Sequence, residues 1–194
     1  MSLLAVVAGC GSSSGPSAAG SARHASAGTP TDEVRAVAAQ PQSGSAVSST
    51  PTCRTGDLSV RLGPAEGAAG SVYAPLVFTN TGTARCRLSG YPGVSYVAPG
   101  NGHQVGAAAT RSAQHPAQAV VLAPGGHAAA VVQMVNVMNY PDRRCRPTAT
   151  SGLRVYPPGN TAATYVAFGR DRSACSTGVA QLSVEAVVAG TSGR

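Results

Sequence analysis

The chain has 194 residues, a formal net charge of +7 and only 11% charged residues, with 24 glycines, 14 prolines and no tryptophan. All 14 of its basic residues are arginine, which excludes a P-loop lysine, a Schiff-base lysine and a Ser-Lys catalytic pair. Abundant Gly and Pro with few charges suit short strands joined by turns better than helices, and the basic balance admits an anionic neighbour without pointing to nucleic acid.

An apolar run over residues 3–8 leads into Gly9 and Cys10. Val7-Ala8-Gly9-Cys10 resembles the bacterial lipobox, in which an apolar residue and two small ones precede a cysteine that is diacylated and becomes the mature N-terminus. By that resemblance residues 1–10 are part of a lipoprotein signal peptide, Cys10 carries the lipid, and the chain meets the membrane through that anchor. The run is far shorter than the roughly 20 apolar residues needed to span a bilayer. It also has no basic n-region before it, so the start of translation is expected upstream.

Residues 11–52 consist mainly of Ser, Ala, Gly, Thr and Pro with no aromatic side chain. Such a segment buries too little apolar surface to offset its ordering entropy and is expected to be a disordered tether. As a flexible coil it would reach roughly 35 Å. Thr31-Asp32-Glu33 could cap a helix through Ala39, closed by Pro41, but a helix that short is marginal. His24 has no partner nearby in sequence.

From Cys53 the texture changes, and residues 53–190 are expected to form one domain. Leu58, Val60 and Leu62 alternate with Ser59 and Arg61, as in a half-buried strand. Residues 63–71 read as a small-residue loop. Val72, Ala74, Leu76 and Phe78 then share one face of a strand in which Pro75, unable to donate to a ladder, suggests an edge or a bulge. A turn at Thr79-Asn80-Thr81-Gly82, a short strand over 85–90 and the Tyr91-Pro92-Gly93 turn follow. A strand over 94–98 leads into a polar loop over 99–119. Val120-Val121-Leu122 and residues 128–137 read as a hairpin across Pro124-Gly125-Gly126. Residues 153–156 and 164–168 read as another across Pro157-Pro158-Gly159-Asn160. An alternating strand over 181–188 closes the domain. About eight or nine strands with no periodic helix predict an all-β, immunoglobulin-like antiparallel β-sandwich.

Setting Cys10 aside leaves Cys53, Cys86, Cys145 and Cys175. An even number outside the cytoplasm reads as two disulfides with three connectivities open. Cys53–Cys86 with Cys145–Cys175 is favoured, since the first would staple the start of the domain to the turn after its central strand and the second would close a loop around the 153–168 hairpin. A metal site is not indicated: there is no C-x-x-C and no histidine close to a cysteine.

Tyr73, Leu76, Phe78-Thr79-Asn80-Thr81-Gly82, Cys86, Leu88 and Gly90-Tyr91-Pro92-Gly93-Val94 carry a resemblance, together with Leu122-Ala123-Pro124-Gly125, Cys145, Leu153-Arg154-Val155-Tyr156-Pro157-Pro158 and Cys175. On these residues 53–190 resemble an actinobacterial family of secreted and lipid-anchored domains, the domain of unknown function 4232 family. The resemblance implies an extracytoplasmic immunoglobulin-like domain and brings no catalytic residue with it.

Neither catalytic nor cofactor-binding residues emerge from the motifs. Asp57, Glu66, Asp142, Asp171 and Glu185 show no spacing that singles out a glycosidase pair. His103, His115 and His127 form no H-x-x-x-H, and there is no Gly-x-Ser-x-Gly elbow. Gly100-Asn101-Gly102 lacks the third glycine and the helix of a nucleotide loop and reads as a turn. What remains is arginine. Arg54, Arg85 and Arg87 flank the first expected disulfide, and Arg143, Arg144, Arg146, Arg170 and Arg172 flank the second, as candidate contacts for an anion.

The sequence thus predicts a non-enzymatic binding or structural module, anchored to the cell membrane by lipid on Cys10. Secreted recognition of an anionic wall polymer or headgroup, should the lipobox go unused, is the alternative, with a glycan hydrolase behind it. An anionic envelope polymer or a protein is the expected partner; cofactor, metal and nucleic acid are not.

Overall fold

The computed structural model describes residues 50–194, apart from the side chains of Arg170 and Asp171. The expected signal segment with Cys10, the expected helix over 31–39 and the expected tether as far as residue 49 lie outside the described residues. The last residues assigned to that tether belong to the fold: Thr52 bridges to Arg87, whose amide donates to the Pro51 carbonyl and whose Nε donates to the Thr50 carbonyl.

In chain order, a 3-10 turn at Thr55–Asp57 precedes β1 (Leu58–Leu62), β2 (Glu66–Ala68), β3 (Ser71–Asn80), β4 (Cys86–Ser89) and β5 (Gly93–Val97). Next come β6 (Gln104–Val105), β7 (Thr110–Arg111), β8 (Ala119–Leu122) and β9 (His127–Val135). A 3-10 turn at Val137–Asn139 and the single-turn helix α1 (Asp142–Cys145) lead to β10 (Pro147–Tyr156), β11 (Thr164–Cys175), β12 (Leu182–Val184) and β13 (Val188–Ala189).

One sheet runs β1-β3-β9-β12-β7, with β2 added to β3 and β13 to β9; a second runs β11-β10-β5-β6, and β4 pairs with β8 alone. The two large sheets face each other across one apolar core. Ala74, Leu76, Phe78, Ala130 and Val132 from the first meet Val94, Tyr96, Leu153, Val155 and Val166 from the second. Leu88 and Leu122 of the β4–β8 ribbon close one end. The architecture is all-β and immunoglobulin-like. One pair departs from the antiparallel rule: β12 and β7 run parallel. β2, β6 and β7 fall in stretches expected to be loops, because strands of two or three residues are too short to show a period of two.

Two further expectations meet the structure. Of the two readings of Pro75 the edge fails, for β3 lies between β1 and β9, and the bulge holds, for residues 63–65 stand opposite only Ala74 and Pro75. Its carbonyl accepts from the Gly63 amide at 2.8 Å, so its missing donor faces the gap between the end of β1, paired at Leu76, and the start of β2, paired at Tyr73. That break lets an interior strand hold a proline. Gly63 matches it: a Cβ there would lie 2.8 Å from Pro75 Cγ. Secondly, β8 and β9 do not pair as a hairpin. β8 pairs with β4 while β9 pairs with β3, so the chain passes from the two-stranded ribbon into the first sheet between them.

The first sheet is covered on its outer face as well. Val131 points away from the inter-sheet core yet is 6% exposed. Residues 190–194 lie over it, and a Cβ on Gly193 would stand 2.8 Å from Val131 Cγ2. Arg194 then closes on Glu66 with an Nη2–Oε2 distance of 3.0 Å.

Candidate functional site: a pinned arginine turn and an inter-sheet cleft

Four residues cannot hold a helix by themselves, so α1 is fixed from outside. Cys145 joins Cys175, the first residue of β10 pairs with Cys175, and the Cα atoms of the bridge are 4.4 Å apart. Thr177 Oγ1 donates to the Arg144 carbonyl at 2.7 Å, and Ser176 Oγ donates to the Arg146 carbonyl at 3.0 Å. Arg146 closes the turn in the left-handed region at φ 49. The backbone is held while the side chains stay out: Arg143, Arg144 and Arg146 are all exposed. Among the described residues Asp142 makes no ion pair with them.

The five arginines of the second bridge therefore do not share one surface role. Arg143, Arg144 and Arg146 stand together on α1 and its cap. Arg172 is half-buried, with its guanidinium carbon 5.3 Å from the centre of the Phe168 ring. The side chain of Arg170 is outside the described residues. At the first bridge, Cys53–Cys86, Arg54 and Arg85 are exposed, while Arg87 is committed to Thr50.

Arg172 reaches its place through a bulge. The β10–β11 register runs Gly152↔Ala167 on one side and Thr150↔Arg172 on the other, so Ser151 alone stands opposite 168–171. Bulges of this kind re-aim side chains. Here Phe168 turns inward to meet Tyr96 edge-on, with ring centres 6.0 Å apart. Burial pushes the Tyr96 phenol pKa up, partly opposed by the positive charge of Arg172. Around these residues a cleft of about 510 Å³ opens between β1 and β11, walled by Val60, Leu62, Phe168 and Arg172 with Met134 at its base. A second cleft of about 260 Å³ shares Met134 and Arg172 and is lined also by Tyr96, Asn136 and Ser173.

The carboxylates are scattered. Asp57 ends the first 3-10 turn, Glu66 pairs with Arg194, Asp142 opens α1, and Glu185 follows β12 with its Oε2 3.5 Å from His115 Nε2. Among the described residues no group of three His, Cys, Asp or Glu side chains could hold a metal ion. Gly100-Asn101-Gly102 is a turn in which Asn101 Oδ1 accepts from the His103 amide.

Two asparagines have roles that motif reading did not assign. Asn80 is 1% exposed, and its Nδ2 donates to the carbonyls of Ala84 and Leu122 while its Oδ1 accepts from the Gly82 amide. Asn160, at the β10–β11 turn, donates to the Cys53 carbonyl and accepts from the Thr55 amide. Turn chemistry could have located both, but their distant partners lie 42 and 107 residues away.

Comparison with curated proteins returned no match, and comparison with solved structures returned none either. Among protein families, residues 53–188 match a domain of unknown function (DUF4232). This span takes in both disulfides, both asparagine clasps and the arginine turn, and on it the chain belongs to the DUF4232 family.

Proposed function

We propose that the chain is a non-catalytic recognition domain working outside the cytoplasm, tied to the membrane by lipid on Cys10, with Arg143, Arg144 and Arg146 as its contact for an anionic envelope polymer or headgroup. The observation that carries the reading is the arginine turn itself: three exposed guanidinium groups on a backbone pinned by a disulfide and by Ser176 and Thr177. Pre-organised guanidinium groups suit phosphate and carboxylate binding, since little backbone entropy is lost on contact. Two disulfides fit an oxidising compartment, and Val7-Ala8-Gly9-Cys10 supplies the lipobox pattern.

One fractionation series tests both parts. Cys10→Ala should move the protein from the membrane to the soluble fraction. The released protein should still sediment with phosphatidylglycerol vesicles or wall fragments at low salt and detach as salt rises. At about 1 kcal/mol per arginine near an anionic surface, adding Arg143→Ala and Arg144→Ala should weaken that association roughly 30-fold. Membrane retention of Cys10→Ala would remove the anchor; sedimentation indifferent to the two arginines would remove the contact.

A further inference from the structure

The cleft between β1 and β11 uses none of the α1 arginines and has a polarity of its own. β1 ends one sheet and β11 ends the other, so the sandwich is open along this edge. The wider part presents Val60, Leu62 and Phe168, with Arg61 also on its wall. The narrower part presents Tyr96, Asn136 and Ser173. Arg172 lines both, half-buried at the junction, with the Phe168 ring against its guanidinium. A guanidinium drawn partly out of water favours an anion more strongly than one on the open surface. The wider part alone falls within the usual range of ligand pockets, roughly 300–1,000 Å³.

An apolar stretch, a polar end and a half-buried guanidinium where they meet match a molecule with the same three parts, and Arg61 adds a second, exposed guanidinium on the wall of the wider part. We propose that this cleft binds a single-chain anionic amphiphile, its alkyl chain between Val60, Leu62, Met134 and Phe168 and its carboxylate or phosphate on Arg172. A wholly apolar ligand would leave the guanidinium unanswered, and a small polar anion would leave the apolar stretch wet.

Decanoate and decyl phosphate, titrated calorimetrically into the full chain below their micelle concentrations, distinguish a carboxylate source from a phosphate one. Decyltrimethylammonium is the charge-reversed control. At least one anionic probe should bind saturably at one site, the cationic probe should not, and Arg172→Gln should weaken binding at least about tenfold. In the wild-type protein the same anionic probe should shift the methyl resonances of Val60, Leu62 and Met134, a readout that holds even where Arg172→Gln disturbs folding. Absence of saturable binding by both anionic probes overturns the proposal. So does equal binding of the cationic one, or unmoved methyl resonances with amide shifts confined to residues 142–146, which would assign the binding to the arginine turn instead.

Discussion

The side chain of Asn80 joins two turns that would otherwise part. It sits where β3 ends, and its backbone is engaged as fully as its amide: its N–H donates to the Gly126 carbonyl and its C=O accepts from the Gly125 amide. With three side-chain bonds added, the turn after β3 and the turn between β8 and β9 become one hydrogen-bonded unit. Asn80→Ala removes those three bonds, among them the side-chain donor to the Leu122 carbonyl. The expected cost is about 2–3 kcal/mol, read as a lower urea midpoint at unchanged slope. Asn80-Thr81-Gly82 was visible in the sequence as turn chemistry. Its partner at Leu122 was not, because an asparagine that serves its own turn and one that also clasps a distant strand look alike in a linear chain.

At the scale of elements, α1 depends on its bridge. In the chain-entropy model a disulfide closing a loop of this size contributes on the order of 3–4 kcal/mol. The pair Cys145→Ala and Cys175→Ala should lower stability by about that amount. It should also raise amide hydrogen exchange at Arg144 and Arg146 well before the β10–β11 ladder opens, because one helical turn has no stability of its own. Exchange at those two amides unchanged from wild type would show that Ser176 and Thr177 suffice. Strands with a clean alternation, β1 and β3, were legible, and so was the β10–β11 pair flanking a Pro-Gly-Asn turn. The β8–β9 turn misled because Pro124-Gly125-Gly126 has the residues of a hairpin, whereas the pairing is decided by Asn80 and by the partners that β3 and β4 offer. The bulge opposite Ser151 had no signal, since Gly169 and its neighbours read equally well as a loop.

For the whole molecule, the core between the sheets holds one phenol whose charge the fold resists. Burial raises the pKa of Tyr96, with Arg172 opposing in part. Above pH ~10 the unfolded chain releases this proton while the folded chain keeps it, so the unfolded state binds fewer protons and stability falls as pH rises. The decline from this group is at most about 1.4 kcal/mol per pH unit. It should begin near pH 10, and Tyr96→Phe should remove it from urea titrations run across that range. Sheet order could not be read in advance. It rests on pairings such as β3 with β9 and β12 with β7, which join segments distant in sequence and leave no local mark.

The Cys53–Cys86 bond also bears on how the domain would carry load. A pull on the chain ahead of Cys53 passes through the sulfur atoms to Cys86 and on into β4, so β1, β2 and β3 all lie off the force path. The sequence separation of 33 residues enclosed by the bond could not be paid out as slack, withholding on the order of 110 Å of extension at about 3.3–3.6 Å per residue. Tension would meet the contacts of Thr50, Pro51 and Thr52 with Arg87 first and then the short β4–β8 ribbon, while β1, β2 and β3 stay shielded behind the bond.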